Sequence, residues 1–128
     1  MQNARILIVE DDKFLRKACE VGLKKQGFVV LTAADGEEGL RKAVEGFPDL
    51  ILLDLLMPKL SGMETLKALK SDEKTRPIPV VILSNSSIEL DKQKARDLGA
   101  LDYLVKASLS LQELGNKVAE YLDKNRTR

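Results

Sequence analysis

The residues able to do chemistry in this sequence are carboxylates, hydroxyls and lysines. There is no histidine and only one cysteine, Cys19. That removes Ser-His and Cys-His nucleophilic pairs and the commonest zinc ligand. Four polar positions stand where apolar runs end: Glu10-Asp11-Asp12 after Ile6–Val9, Asp54 after Leu50–Leu53, Ser84 after Val80–Leu83, and Lys106 after Leu101–Val105. Acids, a hydroxyl and an amine gathered at one place can hold a divalent metal and a phosphoryl group. Each also has an ordinary reading when taken alone. The acids at 10–12 suit a helix start, Ser84 suits a turn and Lys106 suits a snorkelling side chain. Asp54 is harder to explain that way, because it interrupts the apolar stretch from Leu50 to Met57 and a buried carboxylate is costly without a cation or donor.

The elements that must position these groups follow from periodicity. Short apolar runs read as strands buried on both faces, as in a parallel sheet. Strands are expected at 5–9, 29–33, 49–53, 79–83 and 101–105, and helices at 13–25, 36–46, 62–72, 88–97 and 109–123. Five strand–helix units predict a three-layer αβα sandwich with right-handed crossovers. In an open sheet of that kind ligands bind beyond the carboxyl ends of the strands, where the four polar positions fall. Gly27 and Gly99 suit left-handed helix ends. Asp35-Gly36 opens the second helix, and Ser61 with Glu64 forms a capping box for the third. Pro77 and Pro79 keep the approach to the fourth strand extended. Cys19 belongs to the core face of the first helix.

Composition bounds the rest. The 128 residues are 44% hydrophobic and 32% charged, with a net charge of +1, which predicts one globular domain over residues 1–128. Balanced charge gives no field for direct nucleic-acid or membrane binding. No run is long enough to span a membrane, the first residues lack the form of a signal peptide, and the single cysteine suits a reducing compartment. A cytoplasmic location is expected.

The ordered set Glu10-Asp11, Asp54, Met57-Pro58, Gly62, Ser84, Tyr103 and Lys106 resembles the receiver domain of two-component response regulators, over essentially the whole chain. The resemblance implies a flavodoxin-like sheet of order 2-1-3-4-5, with the acidic pair and Asp54 on adjacent strands. It implies Asp54 as phosphoacceptor nucleophile, with Lys106 and Ser84 as the residues that meet the phosphoryl group. Three carboxylates at Glu10, Asp11 and Asp54 repel one another by roughly 4 kcal/mol per pair at ~4 Å and an effective dielectric of about 20. A cation of +2 together with Lys106 restores neutrality, and the all-oxygen set suits Mg²⁺ or Mn²⁺. Asp11, Asp54 and the Leu56 carbonyl are expected as direct ligands, with Glu10 acting through a water and Asp12 left to the helix start. The implied donor is a phosphohistidine on a sensor kinase or a histidine phosphotransfer protein. Ser84 and Tyr103 are the implied switch, coupled to a downstream protein through the fourth helix, fifth strand and fifth helix. The state is expected to be a monomer or weak dimer.

The sequence departs from the family pattern at several points. Ala107 stands where a proline, often cis, usually follows the lysine. The Lys106–Ala107 bond is therefore expected to be trans, or cis under strain. Asn85 replaces a small residue. Leu56 and Ser86 offer no acid or amide to orient water, which predicts slow self-dephosphorylation. An interaction module on the same fold that works without phosphorylation is the alternative reading. A haloacid dehalogenase-type phosphatase lacks its second aspartate here, since Asp54 is followed by Leu55-Leu56. A flavodoxin is disfavoured by the acidic first loop.

Overall fold

The computed structural model describes residues 3–55, 57, 60–85 and 89–126. Five strands, β1 (Arg5–Val9), β2 (Val29–Ala33), β3 (Leu50–Leu53), β4 (Val80–Ser84) and β5 (Asp102–Val105), form one parallel sheet in the order β2-β1-β3-β4-β5. They alternate with α1 (Lys13–Lys25), α2 (Gly36–Gly46), α3 (Gly62–Ser71), α4 (Glu89–Asp97) and α5 (Leu111–Arg126). This is the flavodoxin-like, three-layer arrangement expected.

The apolar runs read as continuous because both faces of the sheet are covered. Successive side chains alternate between two cores. Ile6, Ile8, Leu50, Leu52, Val81 and Leu83 pack under Cys19 and Leu23 of α1 and Leu114 and Val118 of α5. Leu7, Val9, Ile51, Leu53, Val80 and Ile82 pack under Ala43 of α2, Leu66 and Leu69 of α3 and Ala95 of α4. No helix among the described residues is long and apolar enough to cross a membrane.

Local chemistry sets the element ends. Asp12 caps α1, accepting from the amides of Phe14 and Leu15. Asp35 caps α2, and Ser61 with Glu64 closes the capping box on α3. Gly27 and Gly99 take the left-handed conformations expected of them, at φ 98° and 105°. Several ends differ from the periodicity reading. β3 and β5 begin one residue later, and β4 spans Val80–Ser84 rather than 79–83. α3 stops at Ser71, and Ile88, the expected start of α4, lies outside the described residues. The last helix begins at Leu111 rather than 109. Ser110 caps it, with its hydroxyl accepting from the Glu113 amide while the Glu113 carboxylate accepts from the Ser110 amide. The stretch before it, Lys106–Ser108, winds into a 3-10 turn. The Lys106–Ala107 bond is trans, since no described peptide bond is cis.

Two glycines join helix starts to the loop after β3. A Cβ on Gly62 would lie 2.2 Å from the Asp54 carbonyl oxygen and 2.4 Å from Leu55 Cα. One on Gly36 would lie 2.2 Å from Thr65 Oγ1. Backbone is thus packed on backbone directly behind Asp54, and no side chain fits. Gly62→Ala is expected to lower the unfolding free energy by at least about 2 kcal/mol. Gly22→Ala, in mid-helix with 3.5 Å to Leu111 Cβ, should raise it by about 0.5–1 kcal/mol. Urea unfolding of the two variants checks both signs.

Candidate functional site

β1 and β3 are neighbours in register, with Val9 level with Leu53, so Glu10 and Asp54 leave the sheet side by side. The Asp54 amide donates to the Val9 carbonyl at 3.0 Å, and the Glu10 amide to the Ala33 carbonyl at 3.0 Å. Both acids are buried, at 4% and 5% exposure, whereas Asp11 and Asp12 face solvent. One carboxylate oxygen from each of Glu10, Asp11 and Asp54 lies within 4.8 Å of the others. The chain brings together the three acids that its sequence singled out and leaves Asp12 as a helix cap.

The fourth member arrives from β5. Lys106 Nζ stands 2.6 Å from Glu10 Oε1 and 3.4 Å from Asp54 Oδ1. Its ammonium therefore bridges two buried carboxylates from different strands. Ser84 is fully buried at the end of β4 and pairs with Val105, the residue before Lys106. Register puts Leu53 level with Ile82, so Ser84 ends β4 one residue beyond the level of Asp54, at the same edge of the sheet. Tyr103, one strand further, is 7% exposed and packs in the core under α3 and α4. Leu56, expected to offer its carbonyl to a metal, lies outside the described residues, as do Pro58 and Ser86.

The electrostatics follow from burial. Loss of water pushes the Glu10 carboxyl up to about 7, and the charge of Asp54 adds to this while Lys106 and the Asp12 amide oppose it. Burial by itself would lower the Lys106 ammonium, but Glu10 and Asp54 outweigh it and hold it above the usual lysine range. Burial also pushes the Cys19 thiol up to about 11, the nearby Glu10 charge adding, which leaves it protonated and inert. Cys19 is a core residue, as its place on α1 suggests.

Arg16 is a residue of the site that sequence reasoning misses. Its Nη1 donates to the carbonyl oxygens of Glu10 at 2.8 Å and Asp11 at 3.3 Å. An arginine on an exposed helix gives no sequence signal when its partners are backbone atoms.

An oxygen-only set of three acids from two neighbouring loops fits a hard divalent cation. The sequence matches the response regulator receiver domain family over residues 6–119, and the chain belongs to that family. It is 39% identical over 104 residues to the alkaline phosphatase synthesis transcriptional regulatory protein PhoP of Bacillus subtilis, covering 81% of this chain and 42% of that protein. It is 34% identical over 111 residues to Protein PilG of Pseudomonas aeruginosa, covering 87% of this chain and 82% of PilG. The chain spans less than half of the PhoP relative and most of PilG. Among solved structures, a CheY-like receiver domain protein from Methanospirillum hungatei superimposes with a TM-score of 0.90 at 26% identity, over 98% of each chain. Receiver domains are the phosphoacceptor modules of two-component systems, and that is the function class of this domain.

A divalent cation held by these acids would compete with a proton for Glu10. A metal binds the carboxylate form, so apparent affinity for Mn²⁺ should climb as the pH rises through about 7. Calorimetry in buffers of differing ionisation heat should show proton release below that pH, and Glu10→Gln should flatten the profile.

Proposed function

We propose that Asp54 is the nucleophile of an Mg²⁺-dependent phosphoryl transfer. An oxygen of the Asp54 carboxylate attacks the phosphorus of a phosphohistidine on a sensor kinase or histidine phosphotransfer protein. The P–N bond breaks, a P–O bond forms, and the imidazole leaves with the electron pair. The observation that carries this reading is the Lys106 ammonium bridging Glu10 and Asp54 at the mouth of the sheet. Phosphoryl transfer asks mainly for positioning and neutralised charge. Mg²⁺, when bound, supplies +2 against the developing phosphoryl charge. Glu10, Asp11 and Asp54 would hold it, with the Leu56 carbonyl. Lys106 then has a phosphoryl oxygen to pair with, and the Ser84 hydroxyl donates to another.

The same contacts supply the switch. Drawing Ser84 toward the phosphoryl group shifts the loop after β4, and Tyr103, buried on β5 beside Ile82, repacks with it. The changed surface is that of α4, β5 and α5, which meets the downstream protein. With a net charge of +1 this domain acts through protein contacts rather than by binding nucleic acid itself. It turns over no small molecule. Its chemistry is its own phosphorylation and a slow dephosphorylation, set by Leu56 in place of an acid or amide. We assign residues 1–128 to one receiver domain that acts in the cytoplasm as a monomer or weak dimer.

Incubation with phosphoramidate and Mg²⁺ should add one phosphoryl group by intact mass, and chelation of the metal should prevent it. Asp54→Asn should abolish the adduct. Beryllofluoride with Mg²⁺ should likewise perturb amide resonances of wild type and leave Asp54→Asn unmoved. A domain that signals without phosphorylation would show neither response. Phosphate release from Leu56→Asn should be faster than from wild type; an unchanged or slower rate would remove the assignment of slow hydrolysis to this position.

A further inference from the structure

The acids of the site are held in unequal ways. The Glu10 carboxylate is tied twice, by Lys106 Nζ at 2.6 Å and by the Asp12 amide at 3.1 Å. Asp54 is tied by Lys106 at 3.4 Å and by its own amide on Val9. Among the described residues no hydrogen bond or ion pair fixes the exposed Asp11 side chain. Its carboxylate nonetheless lies within 4.8 Å of the other two. Its aim therefore depends on where its backbone is placed. Three adjacent acids repel, and with Asp11 and Asp12 exposed the link between strand and helix would relax that repulsion by turning its peptide planes.

Arg16 opposes that relaxation. α1 is capped by Asp12, whose carbonyl accepts from the Arg16 amide at 2.9 Å, so the first helical turn carries Arg16 back under the acidic loop. From there one guanidinium nitrogen donates to the carbonyls of the two peptide links that flank Asp11, those of Glu10 and Asp11, at 2.8 and 3.3 Å. Charged donors make stronger hydrogen bonds than neutral ones, and a planar fork loses little freedom in making them. We propose that Arg16 is a positioning residue for Asp11: by clamping the Glu10 and Asp11 carbonyls it fixes the third carboxylate in the cation site. This rests on the metal-site reading above. It adds that metal affinity depends on a residue that touches neither metal nor phosphoryl group.

The test is a double-mutant cycle on Mn²⁺ affinity, measured by calorimetry with the full chain. Arg16→Met keeps the aliphatic stem and removes the donors. It is expected to weaken Mn²⁺ by about 10- to 100-fold, the range seen when groups that orient metal ligands are lost. In the Asp11→Asn background the same change should cost almost nothing further, because the side chain it positions no longer ligates. Folding is checked by circular dichroism, and Arg16→Gln, with the same two expected results, serves if the methionine variant does not fold. Wild-type affinity in a folded Arg16 variant, or a full second loss on top of Asp11→Asn, overturns the positioning role. Failure of wild type to bind Mn²⁺ at all instead refutes the metal-site reading beneath it.

Discussion

The Lys106 ammonium set between Glu10 and Asp54 is the interaction on which the rest of this structure depends. Burying two carboxylates side by side at 4% and 5% exposure is costly without a cation, and Lys106 supplies one at 2.6 and 3.4 Å. Such an arrangement is not a device for stability. Apolar residues of similar volume often stabilise a fold as well as a buried ion pair does, while breaking one partner out of it leaves an uncompensated charge. Its value is chemical. Under the proposed function it keeps a high density of negative charge poised for a metal, with an ammonium that would turn from carboxylate to phosphoryl oxygen.

Sheet order makes the interaction possible. β1 lies between β2 and β3, so the acidic pair and Asp54 emerge from neighbouring strands; β4 and β5 follow, bringing Ser84 and then Lys106 to the same edge. The two cores on either face hold the strands flush, so that a one-residue slip would send every core side chain to the wrong face. Behind the site the fold tolerates almost no variation. Gly62 sits against the Asp54 backbone, Gly36 against Thr65, and Asp12 divides its polar groups between the α1 cap and the Glu10 carboxylate.

Much of this is legible in the sequence, for physical reasons that can be named. Strands covered on both faces must be apolar throughout, so an acid, a hydroxyl or an amine at a strand end stands out as a signal. That is why Glu10, Asp54, Ser84 and Lys106 can be picked from the sequence alone. The caps at Asp12, Asp35 and Ser61 are readable because short polar side chains satisfy helix amides at fixed offsets. What sequence misses depends on contacts that leave no pattern. The Ser110–Glu113 cap is present as a motif, but the apolar Leu109 draws the expected helix start two residues early, and the 3-10 turn at Lys106–Ser108 has no periodic signature. Phe47 takes a left-handed conformation at φ 46°, where a glycine would be expected. At the neighbouring Gly46 a Cβ would meet only the end of the Leu31 side chain, with Cδ1 at 2.6 Å. Arg16 is invisible because its partners are main-chain carbonyls. Tyr103 is buried by the packing of its neighbours, which sequence does not show.

The central claim of the proposed function is that one ammonium balances the acids until a divalent cation takes over, which frees the ammonium for a phosphoryl oxygen. Calorimetric titration of Mg²⁺ into Lys106→Met, compared with wild type, tests this most directly. Removing the competing positive charge should strengthen Mg²⁺ binding by about tenfold or more, a gain of at least ~1.4 kcal/mol. A folded Lys106→Met protein that binds Mg²⁺ no more tightly than wild type would contradict this, since Lys106 would then not share the carboxylates with the metal.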